Sequence, residues 1–168
     1  MFIDIIEKKK DVLSYSVKYG SSIKNFLNSV TQVNLEFLKK MPLERDVMID
    51  GLNIKIVHGS PWNPIEEYIY PDSDLSRYSK IDFDYIFQGH THYPMRVNKG
   101  KCEIVNPGSI GQPRDGGYPS FAVLDTKTKV IEFLSVKYDI NELIQDIKCV
   151  DGEPSYLSSV LKRPLDDK

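Results

Sequence analysis

The stretch DYIFQGHTHYPM, residues 84–95, opens on an apolar run and breaks at Gln88-Gly89. A short apolar run bounded by glycine predicts a buried strand that stops at Gly89. Two histidines, His90 and His92, follow that strand end with one residue between them. The chain has one further histidine, His58, which follows the apolar run 54–57 and precedes Gly59. Strand ends are where a rigid frame delivers loop side chains to a cleft. Neutral imidazole is a common ligand for zinc, manganese and iron. On a regular strand residues two apart share a face. In a loop His90 and His92 can diverge toward two neighbouring metals, with His58 joining either one. Spacing alone also permits a mononuclear zinc site with an open fourth position, and it permits three structural histidines bonded within loops.

Outward from the histidines the pattern is one of short strands. DVMIDGLNIKIVHGS, residues 46–60, predicts two strands around Asp50-Gly51, a hairpin turn pair. Residues 61–80 carry Pro61, Pro64 and Pro71 and predict a long loop, a length that in compact domains goes with function. YPMRVNKGKCEIVNPGS predicts a hairpin turning at Asn98-Lys99-Gly100, and SFAVLDTKTKVIEFLSVKY a second around Thr126 to Thr128. Upstream, apolar residues between Ser22 and Met41 fall at helical spacing, with a break expected at Asn25 or Asn28 and a stop at Pro42. FIDII, residues 2–6, reads equally as strand or helix. Asp139 and Glu142 have the form of a capping box for a helix to about Lys148, and Pro154 is expected to start a last helix to about Lys162.

Composition narrows the classes. The chain has 168 residues, 40% hydrophobic and 27% charged, with a net charge of −2, which gives no global attraction for nucleic acid or anionic lipid. No apolar run is long enough for a membrane span, and the first residues lack the pattern of a secretion signal. Cys102 and Cys149 are far apart and predict reduced thiols in a cytoplasmic protein. Arg77, Lys80, Arg96, Lys99, Lys101 and Arg114 lie near the histidine motifs; surface placement is the simpler reading, with phosphate contact open. Trp62, Tyr68 and Tyr70, on the loop after His58, could pack the loop or stack on a base or leaving group.

Three segments together, VHGSP at 57–61, DYIFQGHTHYPM at 84–95 and IVNPGSIGQPR at 104–114, resemble the C-terminal motifs of the calcineurin-like metallophosphoesterases, in particular the small bacterial and archaeal phosphodiesterase group. The resemblance extends over about Ser22 to Leu161. It implies the C-terminal part of an α/β sandwich (layers αββα), mixed sheets flanked by helices, and two divalent metals, often manganese. It implies that His58 and His90 bind one metal and His92 the other, with His90 and His92 in the catalytic centre. Gly59 and Gly89 would shape the loops, and Asn106, Gly108 and Ser109 would close a structural turn behind the site. Arg114, after that turn, is the candidate contact for a substrate phosphate.

The resemblance also implies ligands that these residues do not supply. An Asp-x-His pair, a Gly-Asp-x-x-Asp bridging carboxylate and a Gly-Asn-His/Cys-Asp segment have no counterpart in the sequence. Two dications repel unless a carboxylate bridges them. The expectation is therefore a single truncated phosphoesterase domain, residues 1–168, whose hydrolysis of phosphomonoesters or phosphodiesters needs ligands from a partner chain or a second copy. Asp4, Asp11 or Asp115 are the in-chain substitutes to consider. The alternatives are a non-catalytic binding or assembly module on the same scaffold, and the product of a truncated gene. A protein partner or homo-oligomer covering the missing half is expected, a membrane is not, and nucleic acid is possible but not favoured.

Overall fold

The computed structural model describes residues 11–152 and 155–162, so the reading of residues 2–6 and the places of Asp4 and Pro154 lie outside the described residues. Two compact units divide the chain, one helical (residues 11–41, 138–152 and 155–162) and one rich in β-structure (residues 42–137). No helix among the described residues is long and apolar enough to cross a membrane.

The helical unit contains α1 (Val12–Tyr19), α2 (Ser22–Ser29), α3 (Gln32–Lys40), α4 (Ile140–Asp151) and α5 (Tyr156–Leu161). The break expected at Asn25 or Asn28 falls instead at Val30-Thr31. The Thr31 hydroxyl accepts from the Asn34 N–H at 3.2 Å and caps α3, and a good N-cap outcompetes a mid-helix asparagine for the boundary. Asp11 is also a cap: its carboxylate accepts from the Ser14 N–H at 2.7 Å. Asp139 caps α4 by accepting from the N–H groups of Asn141 and Glu142. The last described helix begins at Tyr156 with Ser155 as its cap. Ile23, Ile144 and Val160 are buried. Asp151 accepts from the Ser21 N–H at 2.8 Å, which ties the α1–α2 turn to α4.

The β-rich unit carries β1 (Glu44–Ile49), β2 (Leu52–Val57), β3 (Tyr85–Phe87), β4 (Pro94–Lys99), β5 (Cys102–Pro107), β6 (Ser120–Asp125) and β7 (Val130–Ser135). Strands β1 to β5 form a mixed sheet in the order β1-β2-β3-β5-β4, and β6–β7 is an antiparallel pair. The β1–β2 turn is set by Asp50 and Gly51, both at positive φ, which matches the right-handed twist of a tight hairpin. β2, β3 and β5 run parallel. Alternation along them sorts the core by face. Val57, Ile86 and Ile104 pack with Ile69, Leu75 and Tyr78 from the 61–80 segment, which contains a 3-10 turn at Ser76–Lys80. Ile54, Tyr85 and Val105 pack with Ile131, Ala122 and Leu124 of the β6–β7 hairpin. The long loop thus covers one face of the sheet and the hairpin the other. Because three parallel strands end side by side, the segments after β2, β3 and β5 emerge at one edge, the usual ligand position in parallel sheets.

Candidate metal centre

Each parallel strand hands one motif to that edge: His58 after β2, Gln88 to His92 after β3, and Asn106 to Ser109 at the end of β5. His90 and His92 are not on a strand. Both sit at positive φ, 67° and 61°, a conformation that a side chain adopts only when its surroundings impose it. Asn106 supplies that constraint. It is fully buried, its Nδ2 donates to the Gly89 carbonyl and to Thr91 Oγ1, both at 2.9 Å, and its Oδ1 accepts from the Gly108 N–H at 3.0 Å. The Gly89 N–H donates to the His58 carbonyl at 2.9 Å, which joins the first histidine to the same frame. Gly108, at φ 86°, has no room for a side chain because Ser120 Oγ and Pro94 crowd it. Gly59 is equally confined, since a Cβ there would lie 2.5 Å from the Asn63 carbonyl oxygen. Ser109 Oγ accepts from the Gln112 N–H at 2.9 Å.

The frame brings His58 Nε2 and His90 Nδ1 to 2.7 Å, with ring centroids 4.6 Å apart. That contact needs one N–H between the two nitrogens; a cation in its place would take a lone pair from each. His92 is held differently. Its Nδ1 lies 2.8 Å from the Gln112 carbonyl oxygen, which can only accept, so Nδ1 carries the proton and Nε2 presents a lone pair. A backbone carbonyl on the far nitrogen is the usual orienting partner of a metal-binding histidine. Burial first, then the charge of neighbouring imidazoles, holds His58 and His90 below the ordinary histidine range; Arg114 adds to this at His90, and Glu66 opposes it. Both rings are thereby biased to the neutral, ligating form. His90 Nε2 and Arg114 Nε are buried without a hydrogen-bond partner.

Among the described residues, no group of three or more His, Cys, Asp or Glu side chains could hold a metal ion. Two of the imidazoles, His58 and His90, meet directly, and the third, His92, is held by the Gln112 carbonyl. Asp11 is engaged as a helix cap, and Asp115 accepts from the Gly117 N–H at 3.1 Å. Among the described residues, then, the imidazoles of a metal centre come together without a completed ligand group around them.

Several neighbours are already engaged. Arg77 forms an ion pair with Glu67 and stacks on Trp62, its guanidinium carbon 3.9 Å from the ring centroid. Arg96 pairs with Glu103 and donates to the Ile131 carbonyl. Glu67 also binds the buried Ser60, whose Oγ accepts from the Trp62 and Asn63 N–H groups. Arg77, Arg96 and Trp62 are thus structural. Arg114 is half-buried, and its backbone N–H donates to the His92 carbonyl at 3.3 Å. Sequence reasoning missed Gln112, which acts through its main chain and so leaves no side-chain signal, and Tyr93, which directly follows His92.

A family profile described as the calcineurin-like phosphoesterase superfamily domain matches residues 23–129. The chain belongs to that superfamily, a family that typically binds divalent metals. It is 34% identical to an uncharacterized protein of Methanocaldococcus jannaschii, over 82% of this chain and 63% of the relative. It is also similar to the crystal structure of a hypothetical protein from Pyrococcus horikoshii (TM-score 0.71, 26% identity, 84% of this chain and 58% of the other). A metallophosphoesterase from Sphaerobacter thermophilus is comparable (TM-score 0.69, 28% identity, 83% and 66%). The mixed α/β fold is that of these structures, and the chain spans about 60% of the length of the relatives it matches.

Proposed function

We propose that the chain carries the histidine portion of a metal-dependent phosphoesterase site. The observation that supports this most directly is the pairing of His58 Nε2 with His90 Nδ1, beside a His92 whose tautomer is fixed by Gln112. In this reading His58 and His90 hold one divalent cation and His92 contributes to a second, with Mn²⁺ the expected metal. Bound divalent cations would neutralise phosphate charge and supply a nucleophilic water near neutral pH. Arg114, with its unpartnered Nε, meets a substrate phosphate oxygen, and its planar fork suits that partner. The ester is a phosphomonoester or phosphodiester. Arg77 and Arg96 are engaged with carboxylates and the net charge is −2, which favours a small ester over a long nucleic acid. Two free cysteines, Cys102 and Cys149, favour a reducing, cytoplasmic setting.

Three imidazoles bring no negative charge, so two dications need carboxylates that this set does not include. We infer that these come from a further polypeptide segment, in a partner chain or in a second copy. The apolar side chains exposed on the outer face of the β6–β7 hairpin, Phe121, Val123 and Leu134, are consistent with a covering surface. A non-catalytic assembly module remains the second reading, favoured by the missing carboxylates.

The test is metal per chain after Mn²⁺ loading and desalting, with hydrolysis of bis(p-nitrophenyl) phosphate measured alongside. Retention that drops on His58→Ala and on His90→Ala supports the reading. Retention indifferent to both substitutions refutes it, and retention without hydrolysis under any added partner favours the assembly module.

A further inference from the structure

A file of tyrosines leads away from His90. The Tyr68 ring lies 4.0 Å from the His90 ring, Tyr70 stacks against Tyr68 at 6.1 Å with 13° between planes, and Tyr93 meets Tyr70 edge-on at 5.5 Å. Beyond them opens a cavity of about 430 Å³ lined by Tyr70, Pro71, Asp72 and Tyr93. Anchoring of the segment does not require the rings of Tyr68 and Tyr70. The segment is anchored through Ile69, which is buried at 5% exposure, and through Leu75 and Tyr78. Burial alternates here, so Tyr68 and Tyr70 flank the buried anchor and are themselves 50% and 36% exposed. Exposed aromatic rings beside a pocket of this size are the ordinary means of holding a flat ligand, because a π-face stacks with little regard to ring identity. Tyr93 belongs to the same loop as His92, so the distance from the histidines to the cavity is fixed by covalent neighbours. Asp72 gives the cavity wall an acceptor for an N–H on a ring edge.

We propose that this cavity is a subsite for a flat heteroaromatic ring carried by the phosphoester, which makes nucleoside-like phosphoesters the favoured substrates over sugar or alkyl phosphates. The phosphate end of this proposal rests on the phosphoesterase reading, whereas the ring end rests on the tyrosines alone.

The test is calorimetric binding of adenosine 5′-monophosphate and of ribose 5-phosphate to the Mn²⁺-loaded full chain. The two probes share a sugar phosphate and differ by the ring. Adenosine 5′-monophosphate is expected to bind about tenfold tighter or more. Tyr70→Leu should reduce the ratio to within about twofold of unity, while Tyr70→Phe, which keeps the ring, should preserve it; an unchanged urea midpoint guards against misfolding. Equal affinity for the two probes, no binding of either, or a ratio indifferent to Tyr70→Leu overturns the proposal. The two readings fail separately. If the ratio persists but neither probe responds to His90→Ala or to metal removal, the ring subsite stands and the phosphoesterase reading falls. If both probes respond to His90→Ala with no preference for the ring, the reverse holds.

Discussion

Truncation of Asn106 to alanine is expected to loosen the whole centre without touching a ligand. Asn106 is the buried pin between β5 and the histidine loop, with bonds to Gly89, Thr91 and Gly108. The Gly89 carbonyl would keep its bond from the Thr91 N–H at 2.8 Å, so its loss is modest. The Gly108 N–H would lose its acceptor, at about 1–3 kcal/mol. The cavity left by a fully buried side chain adds about 1 kcal/mol. Together these give about 3 kcal/mol, a fall in Tm of about 6–12 °C for a chain of this size. A second consequence concerns the site. His90 and His92 hold positive φ against a preference for negative values that costs about 1–2 kcal/mol per residue. Once unpinned, the loop relaxes and His90 leaves His58, so Mn²⁺ affinity should fall at least about tenfold.

The assays are urea unfolding and Mn²⁺ titration of the same preparations. Asn106→Asp serves as the control. It keeps an acceptor for the Gly108 N–H and allows the Thr91 hydroxyl to donate, but sets a carboxylate against the Gly89 carbonyl, so it should fall between wild type and alanine. An unchanged urea midpoint in Asn106→Ala would refute the bonding account. A lowered midpoint with intact Mn²⁺ affinity would refute the claim that this residue holds the histidine loop.

Three other outcomes are expected. His58 and His90 titrate below their unfolded value of 6.5, so the unfolded chain binds more protons than the folded one. Metal-free stability should therefore be fully present above about pH 7 and decline as pH falls through 6.5, and a double His58→Phe, His90→Phe variant should show a flatter profile in urea unfolding across pH 5–8. Gly59→Ala forces a Cβ against the Asn63 carbonyl; it should cost about 1–3 kcal/mol and reduce Mn²⁺ affinity because the same turn carries His58, and a neutral result by the same two assays would contradict the packing. Cys149 is exposed, whereas burial, with Asp84 and Glu103 nearby, pushes the Cys102 thiol up to about 11; a disulfide-exchange reagent at pH 8 should label one thiol per native chain quickly and the second only in denaturant.

What the sequence made legible follows from how locally each feature is encoded. The hairpin turns were readable because Asp50-Gly51 and Gly100 declare positive φ by residue type. The histidines stood out because there are only three, each within three residues of a glycine that follows an apolar run. The helix break was misplaced because asparagine marks a boundary by composition, whereas Thr31 marks it by a hydrogen bond to a residue three positions on. Features that depend on three strands lying parallel were invisible in one dimension. The pairing of His58 with His90 joins residues 32 apart, and the orientation of His92 depends on a main-chain carbonyl 20 residues downstream. A carbonyl has the same chemistry whatever its side chain, so no substitution pattern at Gln112 would expose it. The same reasoning explains why the sequence left phosphate contact open at Arg77 and Arg96. Their partners Glu67 and Glu103 lie ten and seven residues away, close in the chain, yet nothing in the sequence says whether a nearby carboxylate will be spent on an arginine or left free. Arg114 differs in having an unpartnered Nε, and only the folded chain makes that distinction.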